Sequence, residues 1–252
     1  MKLKDKVVVI TGASSGIGLA VSKILAEKGA KLALLSRSVD KLNALASEMQ
    51  RNKQEATPIK ADVTDRESVK NAVKQAVAKY GTIDILVNCA GVGHYGAIET
   101  LDMEEFENIL KTNIYGVIYM IQEAMPCLKA SKGMIVNISS GLSKRGLPFL
   151  SAYGSTKAML NQISEGLRVE LMGEGVKVLT YNPPATDTPF IKFKRPGMKL
   201  EKVTDVAPHI VKAIEQEKRE VTYGPGFLAF MNFFAPRALD NMFYKAMVKK
   251  DK

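Results

Sequence analysis

Tyr153 and Lys157 stand four residues apart at the start of an amphipathic stretch, and Ser140 lies thirteen residues before the tyrosine. Residues four apart share one face of a helix, so the phenol and the ammonium would be neighbours. A nearby ammonium favours the phenolate, which would move the pKa of Tyr153 from about 10 toward a range useful in acid–base catalysis. The spacing alone is common, but the pair is predicted to handle protons.

The apolar run Val7–Ile10 leads into a glycine-rich turn that reads Thr11-Gly12-Ala13-Ser14-Ser15-Gly16-Ile17-Gly18 and then into a helical pattern. Glycines let the backbone approach a pyrophosphate, and the start of a helix adds N–H donors and a positive dipole. Although the spacing differs from Gly-x-Gly-x-x-Gly, its place between a strand and a helix favours a dinucleotide-binding loop.

The second apolar run ends at Ser36-Arg37, with no acidic residue at that point. In dinucleotide-binding folds a carboxylate there would bind a free ribose 2′-hydroxyl, whereas an arginine would accommodate a 2′-phosphate. Arg37 therefore predicts NADP (NADPH) as the cofactor rather than NAD. The alternative is that Arg37 is simply an exposed arginine at a helix start.

Short apolar runs alternate regularly with amphipathic stretches along the chain. The predicted strands are Lys6–Thr11, Lys31–Ser36, Thr57–Ala61, Ile83–Asn88, Gly133–Ser139, Val176–Tyr181 and Glu220–Tyr223. The predicted helices are Gly16–Lys28, Val39–Arg51, Asp65–Tyr80, Asp102–Lys129, Ala152–Met172 and Thr204–Lys218. This pattern predicts an α/β protein, a single-domain Rossmann fold whose doubly wound parallel sheet has about seven strands and helices on both faces. Ligands of such sheets bind beyond the carboxyl ends of the strands.

An ordered set of motifs runs through the first 223 residues. It comprises Thr11–Gly18, Asp62, Asn88-Cys89-Ala90-Gly91, Asn113, Ser140, Tyr153, Lys157 and Asn182-Pro183. In this set the chain resembles the short-chain dehydrogenase/reductase family, in its compact branch of about 250 residues. Three departures stand out: Cys89 replaces a frequent asparagine, Pro184 replaces a glycine, and Ser15 replaces a basic residue common in NADP-preferring members.

The resemblance implies a role for each matching residue. The catalytic tetrad would be Asn113, Ser140, Tyr153 and Lys157. Tyr153 would exchange a proton with the substrate oxygen, Ser140 would hold that oxygen, Lys157 would lower the pKa of Tyr153 and bind the nicotinamide ribose, and Asn113 would hold a relay water. The remaining cofactor-binding residues would be Gly12, Ser14, Ser15, Gly16, Ile17 and Gly18 at the diphosphate, Arg37 at the 2′-phosphate, Asp62 and Val63 at adenine, Asn88, Ala90 and Gly91 along the adenosine side, and Pro183 and Thr188 at the nicotinamide.

The leading hypothesis is an NADP(H)-dependent oxidoreductase that transfers a hydride between nicotinamide and the carbonyl or secondary alcohol of a small molecule. A dinucleotide-binding sensor or scaffold without significant turnover is the alternative, because fold alone does not separate the two. The complete tetrad favours chemistry.

Composition excludes several other classes. The 252 residues carry a net charge of +10, with two cysteines and two histidines. No metal site is predicted, because Cys-rich and multi-histidine sites are excluded. The lysines are not interleaved with aromatic residues, so we expect no nucleic-acid partner. No export signal or membrane-spanning run is visible, so we expect a cytoplasmic protein. We also expect this protein to form a homodimer or homotetramer.

The C-terminal tail, residues 224–252, is predicted to be an amphipathic extension of the domain formed by residues 1–223. Apolar residues recur at helical spacing over Phe227–Met247, and Pro236 is expected to break the run into two helices. This ending resembles those of family reductases that act on steroid, retinoid or other lipophilic carbonyls. Three interpretations stay open: a helix packed on its own domain or a sister subunit, a lid over the substrate, and a peripheral membrane anchor.

Pro189–Lys202 is a second candidate substrate loop, with Phe190, Ile191, Phe193 and Met198 as apolar contacts. His94 and Tyr95 are expected either to line the pocket or to be ordinary loop residues.

Overall fold

The computed structural model describes residues 1–191, 199–223 and 236–248. Its strands are β1 Val7–Thr11, β2 Lys31–Ser36, β3 Ala56–Lys60, β4 Ile85–Asn88, β5 Met134–Ile138, β6 Lys177–Asn182, β7 Thr186–Asp187, β8 Glu201–Lys202 and β9 Glu220–Thr222. Seven of them form one parallel sheet in the spatial order β3-β2-β1-β4-β5-β6-β9, and β7 pairs with β8 separately. The predicted seven-stranded, doubly wound sheet is confirmed.

The helices are α1 Gly16–Glu27, α2 Val39–Arg51, α3 Arg66–Tyr80, α4 Met103–Leu110, α5 Gly116–Ser131, α6 Ser151–Glu170, α7 Val203–Glu215 and α8 Pro236–Phe243. They cover the sheet on both faces because the central strands are apolar on both sides. Val8 and Ile10 of β1 join the core formed with α1, α2 and α7, whereas Val9 joins the core formed with α3, α5 and α6. All three side chains are fully buried, which explains why β1 reads as a continuous apolar run.

The sequence predicted one helix over Asp102–Lys129, but the structure divides this segment. A single turn of π-helix, Lys111–Tyr115, separates α4 from α5. The Gly116 N–H bonds to the Lys111 carbonyl, five residues back, and the turn holds Asn113 fully buried. The segment Lys111–Tyr115 contains no glycine or proline that would mark a break in the helix, so the sequence gave no sign of the π turn.

The tail is described only from Pro236 to Val248. Helix α8 begins at Pro236, as expected for a residue that suits the first helical position, and Asp240 forms an ion pair with Arg145 in the loop after β5. The apolar residues Phe227–Phe234 lie outside the described residues, as do Phe193 and Met198 of the proposed substrate loop. The three interpretations of the tail and the domain boundary at residue 223 therefore stay predictions. Within the described ranges, no helix is long and apolar enough to cross a membrane.

The ends of β1 and β4 are joined by one hydroxyl group. Thr11, the last residue of β1, is almost fully buried, and its Oγ1 accepts hydrogen bonds from the Cys89 N–H at 3.0 Å and the Ala90 N–H at 3.1 Å. Strand order reverses between β1 and β4, the place where this class of sheet opens a ligand crevice. Thr11 thus fixes both walls of that crevice.

Replacing Thr11 by valine should weaken this joint. Thr11→Val keeps the side-chain shape but leaves two N–H groups without an acceptor, so we expect the free energy of unfolding to fall by about 1–3 kcal/mol. Thr11→Ser keeps the hydroxyl and loses one methyl group, so it should cost less than about 1 kcal/mol. Urea denaturation at neutral pH measures both, and equal losses in the two variants would contradict the assigned role of the hydroxyl.

Candidate active site

A cavity of about 520 Å³ opens at the carboxyl ends of the central strands. Most of the predicted site residues line it, namely Gly12, Ser15, Gly16, Ile17, Gly18, Ala90, Gly91, Ser140, Tyr153, Lys157, Pro183 and Thr188. The residues predicted to bind the adenosine half, including Arg37, Asp62 and Asn88, are not part of its lining, and neither are Ser14, Val63 and Asn113. The cavity therefore brings together the glycine loop and the proton-handling residues.

The glycine loop forms a cradle that side chains would fill. Gly12 has a φ of +68°, and a Cβ there would lie 3.0 Å from the Ala90 backbone. A Cβ on Gly18 would overlap the Gly12 carbonyl oxygen, and one on Gly16 would lie 3.2 Å from Thr188. Only glycine fits at these three positions, so the backbone can come close to a diphosphate as the sequence predicted.

The N-terminus of α1 suits an anion. The Ser15 side chain makes no capping hydrogen bond, and the first turn of this fully described helix contains no acidic residue. Its leading N–H groups are therefore left for a ligand, and the helix dipole favours negative charge at that end. The residues present fit a dinucleotide pyrophosphate.

The end of β2 lacks a carboxylate. The Ser36 hydroxyl donates to the Ser14 hydroxyl at 2.7 Å and accepts from the Ser38 N–H at 3.0 Å. Arg37 is exposed, and no hydrogen bond or ion pair links it to another of the described residues. A free guanidinium beside a neutral hydroxyl is the arrangement that the sequence predicted for a 2′-phosphate.

Asp62 and Val63, which are predicted to contact adenine, are held in place by neighbouring residues. Asp62 accepts hydrogen bonds from the Thr64 N–H at 3.0 Å and from its hydroxyl at 2.8 Å. Val63 packs against Gly116 at the start of α5, where a Cβ would lie 2.8 Å from the valine side chain. These contacts fix the loop after β3 at the rim of the crevice.

Tyr153 lies near the start of α6 and is 8% exposed. Burial raises the pKa of Tyr153 to about 12, and the hydrogen bond with Ser140 opposes that rise. The expectation that Lys157 lowers this pKa is wrong for this structure. Lys157 Nζ lies 6.0 Å from the centre of the tyrosine ring, and desolvation outweighs the favourable hydrogen bond. Tyr153 is therefore protonated at neutral pH.

Lys157 follows one turn later on the same face of α6, as the spacing predicted. Its Nζ donates to the Ile138 carbonyl at 3.0 Å, at the end of β5. Burial lowers the pKa of Lys157 to about 8, because an ammonium loses more hydration than the carbonyl returns. The Cys89 thiol lies in the same buried environment, and burial raises its pKa to about 12, so it stays protonated.

Asn113 is placed by the π turn against the loop after β4. Its Oδ1 accepts from the Val92 N–H at 2.9 Å, and its Nδ2 donates to the Val92 carbonyl at 2.9 Å and to Thr156 Oγ1 at 3.1 Å. Both amide hydrogens are used and a single oxygen lone pair is left. The side chain therefore clamps the Val92 backbone of the loop after β4, and the predicted relay water stays a prediction.

Sequence reasoning missed a polar network beneath the site. Asn161 Nδ2 donates to Ser143 Oγ at 2.9 Å and to Asn182 Oδ1 at 3.2 Å, and the Ser143 hydroxyl donates to the Ser140 carbonyl at 2.6 Å. The sequence pattern could have indicated this network. Asn161 and Ser164 follow Lys157 at intervals of four and three residues, which places all three on the buried face of α6. The network anchors the backbone that carries Ser140.

The Phe190 ring packs against the Tyr153 ring. The two ring centres are 5.5 Å apart and the planes are inclined by 56°. A Cβ on Gly93 would lie 3.0 Å from the Phe190 ring, so the glycine leaves room for it. Phe190 therefore packs against Tyr153, and both Phe190 and Ile191 line the cavity, while their predicted contact with the substrate stays a prediction.

Comparison with known proteins identifies relatives of this chain. The family model described as short chain dehydrogenase matches residues 6–199. An uncharacterized oxidoreductase of Staphylococcus epidermidis is 35% identical over 231 residues, which cover 89% of this chain and 99% of the relative.

Two solved structures share the fold over most of their length. A 3-ketoacyl-(acyl-carrier-protein) reductase from Brucella melitensis, complexed with NADH, is 30% identical with a TM-score of 0.81, covering 88% of this chain and 98% of its own. A short chain dehydrogenase from Burkholderia cenocepacia, in complex with NADP, is 26% identical with a TM-score of 0.85, covering 96% and 99%.

The lowered pKa of Lys157 predicts a pH-dependent stability. Below about pH 8 the lysine is protonated in both states, and the folded protein bears the full cost of the buried ammonium. Between about pH 8 and 10.5 the folded protein has lost this proton while the unfolded chain keeps it, so stability rises with pH. The unfolding free energy of wild type relative to Lys157→Met should rise across this window, by an amount on the order of 3 kcal/mol at most.

Urea denaturation of both proteins at intervals from pH 7 to pH 10, without added dinucleotide, measures this difference. Other titrating groups are common to the two proteins and cancel in the subtraction. A difference that is flat over the whole range would contradict the burial of a titrating ammonium.

Proposed function

Because the chain belongs to the short chain dehydrogenase family, we propose that it is an NADP(H)-dependent oxidoreductase acting on a carbonyl or secondary alcohol of a small lipophilic molecule. The observation that carries the proposal is the position of Tyr153. Its side chain is 8% exposed, and it lines one cavity together with Ser140 and the glycine cradle. A proton donor and a dinucleotide-binding loop within one cavity are the requirements of this reaction.

Different residues of the chain would bind different parts of the cofactor. The glycine loop and the N-terminus of α1 would hold the pyrophosphate, and Pro183 and Thr188, which line the same cavity, would border the nicotinamide. Lys157 would bind the nicotinamide ribose. The bound dinucleotide supplies or accepts the hydride.

Proton transfer falls to Tyr153. Since burial keeps this tyrosine protonated at neutral pH, it can donate its proton to the oxygen of a carbonyl that is being reduced. Ser140 would hold the same oxygen by a hydrogen bond, which fixes the distance for proton transfer. The phenolate that results must then be reprotonated before the next turnover.

Asn113 contributes by positioning. It clamps the Val92 backbone at both its N–H and its carbonyl, and it bonds Thr156 on α6. The loop after β4 and the helix that carries Tyr153 are thereby held together. Precise placement of reacting groups supports catalysis without direct contact with the substrate.

The preference for NADP rests on the end of β2. No carboxylate stands there to repel a 2′-phosphate, and Arg37 is free to bind it. The related structures hold either NADH or NADP, so family membership alone does not select one. The arginine is the feature of this chain that favours NADP.

A lipophilic substrate agrees with the walls of the cavity. Beyond Tyr153 the lining is largely apolar and includes Leu142, Leu150, Pro184, Phe190 and Ile191. Burial of apolar surface against these residues would favour a hydrocarbon body, with the reacting oxygen at Tyr153 and Ser140.

Loss of the tyrosine hydroxyl should abolish turnover while the cofactor still binds. General acid–base catalysis contributes about 10²–10⁴-fold, so Tyr153→Phe should reduce carbonyl-dependent NADPH oxidation by at least a hundredfold. Tyr115→Phe is the matched control, because Tyr115 is exposed and lies outside the cavity lining. NADPH binding, followed by fluorescence, should be unchanged in both variants.

Two outcomes would contradict the proposal. A Tyr153→Phe variant that retains more than a tenth of wild-type turnover would remove Tyr153 from its role. A wild-type protein that binds NADPH but reduces none of a broad panel of aldehydes and ketones would favour the sensor or scaffold instead.

Cofactor preference can be tested at the same two residues of β2. Ser36→Asp combined with Arg37→Ala removes the phosphate-binding guanidinium and adds a carboxylate that repels the phosphate. We expect the ratio of kcat/KM with NADPH to that with NADH to fall by at least about tenfold, or 1.4 kcal/mol. A wild-type enzyme that already prefers NADH would overturn the role assigned to Arg37.

A further inference from the structure

His94 is a buried histidine in the cavity wall that the proposed reaction does not use. It lies on the loop after β4, its side chain is 10% exposed, and its Nδ1 is 2.9 Å from Oε1 of Glu105 on α4. Both residues line the cavity that contains Tyr153. A histidine paired with a carboxylate in the wall of a binding cavity is placed to recognise a polar group of the ligand.

The second ring nitrogen, Nε2, has no hydrogen-bond partner among the described residues. His94 Nε2 is buried, and no group in the described parts of the chain lies within hydrogen-bonding reach of it. Leaving a buried polar atom unpaired costs about 1–3 kcal/mol. A Cβ on Gly96 would lie 2.9 Å from this nitrogen, so a larger residue at position 96 would crowd the imidazole ring. A polar atom left unpaired beside a ligand cavity finds its partner most directly in the ligand.

The pairing of His94 with Glu105 determines which kind of ligand group can bond to Nε2. A carboxylate accepts hydrogen bonds only, so the neutral imidazole carries its hydrogen on Nδ1 and presents a lone pair at Nε2. A hydroxyl group of the ligand can donate to this lone pair. A carboxylate group would face both the lone pair and the negative charge of Glu105, which disfavours an anionic ligand.

We propose that the substrate carries a hydroxyl group in addition to its reacting carbonyl or alcohol, and that His94 Nε2 accepts a hydrogen bond from it. This inference rests on the proposed oxidoreductase function and narrows its substrate class to hydroxylated lipophilic carbonyl compounds. His94 is the specificity-determining residue, and Glu105 is a positioning residue that fixes the tautomer. His94 Nε2 is closed off from solvent by the described residues, so the ring must turn toward the cavity to meet this hydroxyl, and the Glu105 side chain, which is 51% exposed, can follow it.

Matched substrates test this assignment. The panel consists of 2-alkanones of six to ten carbons, each compared with its terminal ω-hydroxy and ω-carboxylate derivatives, with NADPH as reductant. In the wild type we expect a preference in kcat/KM of at least tenfold for the hydroxylated member at one or more chain lengths, and none for the carboxylate. The ratio should fall to about one in His94→Phe.

Three further variants separate recognition from general damage. Glu105→Ala should lose the preference, whereas Glu105→Gln should keep it, because the amide oxygen still accepts the Nδ1 hydrogen. His209→Gln is the control, since His209 lies outside this cavity, and it should leave the ratio unchanged. A wild type without preference at any chain length, or a ratio unchanged in His94→Phe, would overturn the proposal.

A second measurement does not depend on turnover. The chain has only two histidines, so NMR of ¹⁵N-histidine-labelled protein resolves His94 once His209→Gln removes the other signal. An ω-hydroxy-2-alkanone should move the His94 Nε2 resonance upfield, as hydrogen bonding to a lone pair does, and the plain alkanone should leave it in place. If no alkanone is reduced but this shift occurs, the proposed function fails and the hydroxyl site stands. Absence of the shift with every hydroxylated ligand overturns the site itself.

Discussion

The close approach of two backbone segments, at the carboxyl ends of β1 and β4, is the constraint on which the site depends. Gly12 lies so near Ala90 that a single Cβ would meet its backbone at 3.0 Å, and the Thr11 hydroxyl binds two N–H groups of the same segment. This contact holds the glycine loop against the segment that follows β4. The glycine cradle lies on one side of it, and Tyr153, Ser140 and Lys157 lie on the other.

Polar side chains inside the protein hold the second half of the site. Asn88 on β4 donates to Asn137 on β5 at 2.9 Å, and Asn137 donates to Ser164 on α6 at 2.9 Å. Buried amides cost free energy unless they are paired, and when paired they fix a unique arrangement of the elements they join. These residues relate α6 to the sheet, so Tyr153 keeps its position relative to the strand ends.

The sequence predicted the sheet well, because strands buried on both faces are read directly from continuous apolar runs such as Val7–Ile10. It also predicted that the glycine loop meets Ser140, Tyr153 and Lys157 at one cavity, since parallel strands bring their carboxyl ends to one edge. The π turn at Asn113 escaped prediction because Lys111–Tyr115 contains no glycine or proline that would mark a break in the helix. The pKa of Tyr153 escaped it for a different reason: spacing reveals the neighbouring lysine, whereas desolvation depends on everything packed around the phenol. The sequence left His94 either as part of the pocket wall or as an ordinary loop residue, because its partner Glu105 lies eleven residues away on another element.

The ion pair between Arg145 and Asp240 joins the loop that follows Ser140 to helix α8. The carboxylate is largely exposed, so this pair is worth only about 0–1 kcal/mol. By linkage, that value is also the largest allosteric coupling the ion pair alone can transmit between the tail and the loop, at most about a fivefold change in population at either end. Through this contact, the tail can tune the segment between Ser140 and Tyr153 but cannot act on it as an on–off switch. The effect would weaken further as ionic strength rises.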